Sequence, residues 1–409
     1  MTRIYIAGIG ATPLGRHLRR SVKDLTAWAV QLALEDAGAT IEQIQAAWFA
    51  NTRQGVMEGQ NGIRGQCALM PIGLGGIPIF NVENACASSS SGVAHAFAYL
   101  SAGLADVALV VGSEKMIYPE RKEAMFAAFL GSTDVHDIEA TRRLIGRAPS
   151  EGTDDGARSF FMDLYASIAR LHMKRYGTTQ RQIAAAAAKN HWHSTMNPLA
   201  QYRVDMSVEE VLADKPIVFP LTRAMCAPLT DGAAAAVIAN EEGLQRLRSS
   251  RAVRIRGIGV SSSRTRLFED FEHHTARVAA GRAYEMAGIS PKEVHVAEVH
   301  DASSFAEILQ IENLEFCETG GGGRFTQSGA TRLGGRIPIN TSGGLISKGH
   351  PIAATGIIQL FELVQQLRGA AGKRQVAGAK IAIAENGGGW VGVEEAACVV
   401  TVLTQEDTH

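Results

Sequence analysis

One cysteine of this chain stands where a nucleophile would. In NVENACASSSSGVAHAF, residues 81 to 97, Cys86 falls between an apolar run ending near Val82 and a helix-like segment starting near Ala87. A thiol at a helix N-terminus meets free backbone N–H groups and the positive end of the helix dipole, which favour thiolate. The first turns of that helix are all small (Ala87, Ser88, Ser89, Ser90, Ser91, Gly92), so another backbone can approach closely. SKGHPIAATG puts His350 ahead of a second helix that also opens on small residues, Gly349, Ala353, Ala354 and Gly356. A histidine base within reach of a cysteine makes an activated nucleophile. EVHDASSF ends an apolar strand in His300 and Asp301, and KIAIAENGGGW ends another in Glu385, Asn386 and three glycines. Strand ends are where α/β folds hold ligands. Glycine N–H groups can hold a developing oxyanion, and a carboxylate buried at such a turn has a raised pKa suited to proton transfer.

These stretches need a scaffold that brings them together, and the chain supplies one by being written twice. RIYIAGIG near the start returns as VRIRGIGV at 253–260, AVQLALEDAGATIEQIQ returns as AGRAYEMAGISPKEVHVAEV, and GAAAAVIAN at 232–240 is matched by EEAACVVTVL at 394–403. The Cys86 strand and helix are matched by PINTSGGLISKGHPIAATGIIQLFELVQQL, which makes His350 the symmetry counterpart of the cysteine turn. The two helices are expected to pack at a pseudo-twofold axis with their N-termini adjacent. Short apolar runs alternating with amphipathic helices, as in Ile4 to Ile9 followed by Ser21 to Ala37, indicate layered α/β units. The region from about 115 to 220 lacks this rhythm. It carries Arg121, Lys122, Arg142, Arg143, Arg147, Arg158, Lys174, Arg175 and Lys189, and reads as an insertion that covers a site or as a solvated helical excursion.

Other chemistries are set aside. GIGATPLG lacks the third glycine of a dinucleotide fingerprint because Pro13 occupies it, and GGGGRF at 320–325 lacks the lysine and hydroxyl residue of a phosphate loop. The latter is expected to be a flexible turn before a strand, RIPIN. Five scattered cysteines (Cys67, Cys86, Cys226, Cys317, Cys398) without a CxxC pair signal neither a disulfide framework nor a metal site. With 46% hydrophobic residues, 20% charged and a net charge of −1, the 409-residue chain can bury a large core and has no overall pull toward nucleic acid or anionic membrane. No leader pattern or membrane-length apolar run is present, so a cytoplasmic protein is expected.

At this point the residues resemble a known family, the thiolases, along the whole chain. NACAS is similar to the nucleophile turn, HDAS to the Asn-Glu-Ala-Phe or His-Asp-Cys-Phe block, KGHPIAATG to the glycine-histidine-proline block and ENGGG to the Cys-x-Gly block. HDA, with KNHWHSTMNPLAQYR and DKPIVFPLTRAMCAPLTDGAAAAVI, resembles the sterol-carrier-protein thiolase branch, and a benzoylsuccinyl-CoA thiolase-type subunit is one candidate. The resemblance implies a duplicated, five-layered αβαβα thiolase fold, an α/β class, with an inserted loop domain. Residues 1–119 and 221–249 would form the N-terminal half, 120–220 the loop domain, which holds coenzyme A beneath it, and 250–409 the C-terminal half. It implies an acyltransferase, a homodimer or tetramer, that cleaves a 3-oxoacyl-CoA with coenzyme A as co-substrate or runs the reverse Claisen condensation. No permanently bound cofactor is implied. Cys86 would carry the acyl group, His350 would deprotonate it and help hold the enolate oxygen, and His300 would stand at the first oxyanion hole. The N–H groups of Cys86 and Gly387 would form the second. Relatives bring a second reactive cysteine where this chain has Glu385 or Ala302. Glu385 is read as its replacement, shuttling the proton, with a branched or aryl substrate suggested. The alternatives are a retro-aldol lyase on a hydroxyacyl-CoA and a non-catalytic acyl-CoA-binding subunit. Some members of the branch form a heteromeric complex with a small zinc-ribbon and OB-fold partner.

Overall fold

A computed structural model describes residues 2–144, 159–247, 249 and 251–405. Nine strands form one ladder: β1 (Ile4–Ala11), β2 (Ala46–Ala50), β3 (Ile79–Val82), β4 (Val107–Glu114), β5 (Gly232–Asn240), β6 (Val253–Ser262), β7 (Val296–Glu298), β8 (Ile381–Gly388) and β9 (Ala397–Thr404). Their spatial order is β3-β2-β4-β5-β1-β6-β9-β8-β7. The repeat is visible in the pairing. β1 runs antiparallel to β5, β5 antiparallel to β4, and β4 parallel to β2, while β6 runs antiparallel to β9, β9 antiparallel to β8, and β8 parallel to β7. The halves join where Ile4–Ile6 pairs with Val253–Ile255. The expected strand RIPIN is reduced to a single parallel bridge between Ile339 and Ala297.

Seven helices matter for the site: α1 (Val22–Ala37), α2 (Ser88–Ser101), α3 (Phe160–Tyr176), α4 (Gln180–Ser194), α5 (Thr275–Ala287), α6 (Ser304–Asn313) and α7 (Thr355–Leu367). α2 and α7 form the middle layer. Their Val93, Ala96, Leu100, Ile357, Leu360 and Leu363 share one core with Trp48 and Val110 of the first half and Ala382 and Val399 of the second. α1 covers the outer face of the first half, with Leu25, Ala29 and Ala33 against Leu109 and Val237. α5 and α6 cover the outer face of the second, with Ala279, Ala283 and Ile311 against Ile383 and Val400. Five layers result. Burial on both faces explains why β4 and β5 read as unbroken apolar and small residues.

The glycines of the two matched strands have one cause. A Cβ on Gly10 would lie 2.5 Å from the Leu32 Cβ and one on Gly259 would lie 1.9 Å from the Ala279 carbonyl oxygen. Each GxG lets its outer helix sit directly on the strand. The 320–325 run differs from expectation: Gly322–Gln327 is helical, and the N–H groups of Gly320 and Gly322 each donate to the Glu312 carboxylate at 2.9 Å. A separate core unites α3 and α4 with α6, and Tyr165, Ile183, Phe305 and Trp390 pack within it. Arg147, Arg158 and the rest of 145–158 lie outside the described residues. Among the described residues, no helix is long and apolar enough to cross a membrane.

Candidate active site

Cys86 sits in a single helical turn, Ala85–Ala87, between β3 and α2. The turn begins with Ala85 at φ +48°, a left-handed conformation that a side chain resists. The serines hold it there. Ser88 Oγ accepts from the Asn84 N–H at 2.9 Å and donates to the Ala85 carbonyl at 2.6 Å. The counterpart turn, Ile352–Ala354, opens α7. The expected close approach is present: a Cβ on Gly356 would lie 2.7 Å from the Ser90 nitrogen, and one on Gly112 would lie 2.6 Å from the Ala353 oxygen. Ile357 N–H donates to Ser89 Oγ at 3.2 Å, and Ser90 Oγ donates to Asn386 Oδ1 at 2.7 Å.

This packing brings three of the sequence-predicted groups together. The Cys86 sulfur and one ring nitrogen each of His300 and His350 lie within 4.8 Å of one another. The two imidazoles meet edge to face, with ring centroids 5.3 Å apart. His350 is fixed on both sides: its backbone N–H donates to Thr230 Oγ1 at 2.9 Å, and Nδ1 meets Thr355 Oγ1 at 2.7 Å. The Thr355 hydroxyl donates to the Pro351 carbonyl at 3.2 Å, so its lone pairs accept from Nδ1–H. That tautomer leaves Nε2 as the basic nitrogen. His300 is buried, and neither of its ring nitrogens has a partner among the described residues.

The electrostatics correct one expectation. Burial pushes the Cys86 thiol up to about 12, against the pull of the Arg53 charge and the Gly389 N–H. The resting group is therefore a thiol rather than the thiolate that a helix N-terminus alone would favour. Burial also holds His300 down to about 4 and His350 well below its ordinary range, with the charges of His300, Lys348 and Arg53 adding to the effect on His350. Both imidazoles are neutral at neutral pH, so His350 is free to take a proton from Cys86.

Two further placements differ from the sequence reading. Glu385 is fully buried, but it stands behind His300 rather than on the cavity wall: its Oε2 accepts the His300 backbone N–H at 2.9 Å, and Oε1 accepts from Cys398 Sγ at 3.4 Å. Burial and the Glu395 charge raise it to about 8. The direct proton shuttle expected of Glu385 does not fit this geometry, because its carboxyl reaches the cavity only through His300. Gly387 is displaced in the same way. Its N–H is directed at the Glu385 carboxylate, whereas the N–H that reaches the Cys86 sulfur belongs to Gly389. Asp301 is structural, accepting from Leu345 N–H at 2.7 Å and Asn190 Nδ2 at 2.9 Å.

Cys86, His300 and His350 open into a cavity of about 260 Å³ whose other walls are largely apolar, including Met116, Phe126, Phe129, Phe161, Met162 and Ile352. Ala302 lines it too, and Cys226 beside it points its S–H at the Thr222 carbonyl at 3.3 Å. Sequence reasoning missed the polar members of this wall, Arg53, Ser132, Ser159, Tyr165, Tyr202 and Arg223, of which Arg53 and Tyr165 matter most for the chemistry. Arg53 follows the end of β2, the same strand-end signal that singled out His300. Tyr165 lies mid-helix on α3 with no local signal, and no hydrogen bond engages its phenol among the described residues.

Known proteins resemble this chain along most of its length. Residues 4–209 match the family model for the thiolase N-terminal domain, and residues 257–402 match the thiolase C-terminal domain-like model. The chain is 35% identical over 392 residues to the acetyl-CoA acetyltransferase of Methanothermobacter thermautotrophicus, covering 95% of this chain and 97% of that one. It is 35% identical to sterol carrier protein 2 of Bos taurus, covering 94% of this chain and 70% of the relative. It is 32% identical to the benzoylsuccinyl-CoA thiolase subunit BbsB of Thauera aromatica, covering 90% and 89%. Among solved structures, the Ltp2-ChsH2(DUF35) aldolase shares the fold, with a TM-score of 0.77 at 21% identity over 99% of this chain and 98% of that one.

Proposed function

The chain belongs to the thiolase family, and we propose that it is an acyltransferase that cleaves a 3-oxoacyl-CoA with coenzyme A through an acyl-Cys86 thioester. The same steps in reverse are a Claisen condensation. His350 Nε2 takes the Cys86 proton, and the thiolate attacks the 3-oxo carbon. The N–H groups of Cys86 and Gly389 are assigned to hold the oxygen that becomes charged, the latter because it already lies against the sulfur. Collapse breaks the C2–C3 bond, leaving the acyl group on sulfur and an enolate of the departing thioester, whose oxygen His300 and His350 hold. A proton must then reach C2. The Tyr165 phenol, buried on the same wall without a hydrogen-bond partner among the described residues, is the donor we assign, and its phenolate afterwards takes the proton of the incoming coenzyme A thiol. Coenzyme A sulfur displaces Cys86, which regains its proton from His350. Coenzyme A is a substrate in this scheme, and no permanently bound cofactor is required.

The observation that carries the proposal is the 4.8 Å convergence of the Cys86 sulfur with both imidazoles inside an apolar cavity. A retro-aldol lyase needs no acyl-cysteine, so this convergence favours acyl transfer. The test is intact-mass detection of an acyl adduct on Cys86 with 3-oxoacyl-CoA, together with acyl-CoA release on adding coenzyme A. A Cys86→Ala variant with full turnover would refute the nucleophile. Assembly as a cytoplasmic homodimer or tetramer with a small zinc-ribbon partner is part of the same reading. The partner alone is supported, by the subunit designation of the Thauera relative and by the two-protein name of the solved aldolase. Co-purification from the native source with light scattering checks it.

A further inference from the structure

Arg53 is 5% exposed and stands on the cavity wall that holds Cys86. Its guanidinium is clamped: one terminal nitrogen donates to the Ala128 carbonyl, the other to Ser132 Oγ at 3.2 Å, and the cation lies over the Phe129 ring at 4.7 Å. Its Nε–H has no partner among the described residues. Among the described residues, the other buried Lys and Arg side chains all face a carboxylate: Lys115 meets Asp231 at 3.5 Å, Lys189 meets Glu307 at 3.0 Å, Lys348 meets Glu298 at 2.7 Å and Arg374 meets Glu362 at 3.0 Å. Arg53 has none within ion-pair distance among the described residues. The neighbouring acid, Glu114, is already engaged by Asn51 Nδ2, by Thr52 N–H and Oγ1, and by the backbone N–H groups of Arg53 and Ala353.

Glu114 offsets the burial of Arg53 only from beyond ion-pair distance, and a buried charge without a direct partner is costly unless a ligand completes it. The fork geometry of a guanidinium matches a carboxylate. The phosphates of coenzyme A lie at the far end of the pantetheine arm from the reacting sulfur, so they cannot serve a group that shares its wall with Cys86. Building on the acyl-transfer reading above, we propose that Arg53 binds a carboxylate on the acyl group, so that the preferred substrates are short 3-oxoacyl-CoA esters of dicarboxylic acids. The bound carboxylate accepts from the terminal N–H groups that Ala128 and Ser132 leave free, while the aromatic walls exclude water from the pair and the Nε–H, sealed from the cavity, takes no part.

The test compares thiolysis of 3-oxoadipyl-CoA with that of 3-oxohexanoyl-CoA, in which a methyl group replaces the carboxylate. The full chain should favour the first in kcat/KM by on the order of tenfold to a hundredfold, the range of a charged hydrogen-bonded pair. Arg53→Met should bring that ratio to one or below, and Arg53→Lys should restore part of it. Equal or inverted preference in the unaltered chain would overturn the proposal. So would a parallel fall on both substrates in Arg53→Met with the ratio kept, which would assign the guanidinium to Cys86 instead. Should the variants not fold, competitive inhibition of the unaltered chain by succinyl-CoA against butyryl-CoA decides: tighter binding of succinyl-CoA supports the subsite, and equal binding sinks it. Absence of turnover with both substrates and of any acyl mass on Cys86 would defeat the acyl-transfer reading itself, a different result from turnover without preference.

Discussion

His350 works through a proton position set by one hydroxyl. With Thr355 accepting from Nδ1–H, Nε2 faces the cysteine. Thr355→Val should lower kcat by roughly tenfold with little change in KM, because the wrong tautomer becomes accessible while the cavity keeps its shape; steady-state thiolysis reads this split. Tyr165→Phe removes the assigned donor without altering the wall, and a loss of about a hundredfold in kcat is expected. A change under threefold would remove Tyr165 from the scheme. Glu385 behaves oppositely. Held near 8 by burial and by the Glu395 charge, it is mostly protonated at neutral pH, and a glutamine oxygen can still accept the His300 N–H. Glu385→Gln should keep activity at pH 7 within about threefold, in contrast to the loss of about a hundredfold or more that a direct proton carrier would show.

At the scale of elements, the site depends on how closely α2 and α7 approach β4 and one another. Gly112 has no room for a methyl group, since its Cβ would fall 2.6 Å from both the Ala353 oxygen and the Ala354 Cα, which are backbone atoms that cannot swing aside. Gly112→Ala should therefore cost about 1–3 kcal/mol or more, read as a lower denaturant midpoint. Because Ala353 and Ala354 form the turn that follows His350, the same variant should also lose activity beyond its loss of stability. A variant with unchanged midpoint and turnover would show that the two helices have slack. The Ser88 hydroxyl has the corresponding task on the other side, bracing a left-handed Ala85 so that Cys86 projects into the cavity.

For the whole molecule, the buried titratable groups couple stability to pH in opposite directions. His300, held near 4 against an ordinary value of about 6.5, stays neutral when folded. The unfolded chain takes its proton first, so the stability it contributes is present above about pH 6.5 and is lost as pH falls toward 4, to a limit of roughly 3 kcal/mol. Glu395 is net lowered to about 2, since the His274 charge and hydrogen bond outweigh burial, and its contribution is lost between about pH 4.5 and 2. Glu385 has its folded value raised to about 8, so it favours the folded state below pH 4.5 and loses that contribution as pH rises toward 8. Between pH 5 and 6.5 the His300 and Glu385 effects oppose each other. Because His350 and Glu114 also titrate in this window, the check is made relative to the unaltered chain: as pH rises through it, the urea midpoint should fall relative to the unaltered chain in His300→Asn and rise relative to it in Glu385→Gln.

Much of this protein is legible in contiguous residues. The repeat predicted two matching halves because each GxG strand carries its own outer helix, a local requirement for a missing Cβ. Cys86, His300 and His350 were identifiable because each stands at a strand or helix end beside small residues, and backbone approach is a property of neighbours in the chain. Other features depend on contacts between segments far apart. Whether Gly387 or Gly389 aims its N–H at the thiol follows from how β8 meets the Cys86 turn. Glu385 faces the back of His300 because β7 and β8 are paired, and the thiol is held protonated by burial that no single segment creates. That Arg53 makes no direct ion pair among the described residues is visible only once the nearby carboxylates have been placed. Sequence specifies which groups are available, and tertiary packing decides which of them reach the cavity, in which protonation state, and which remain without a partner.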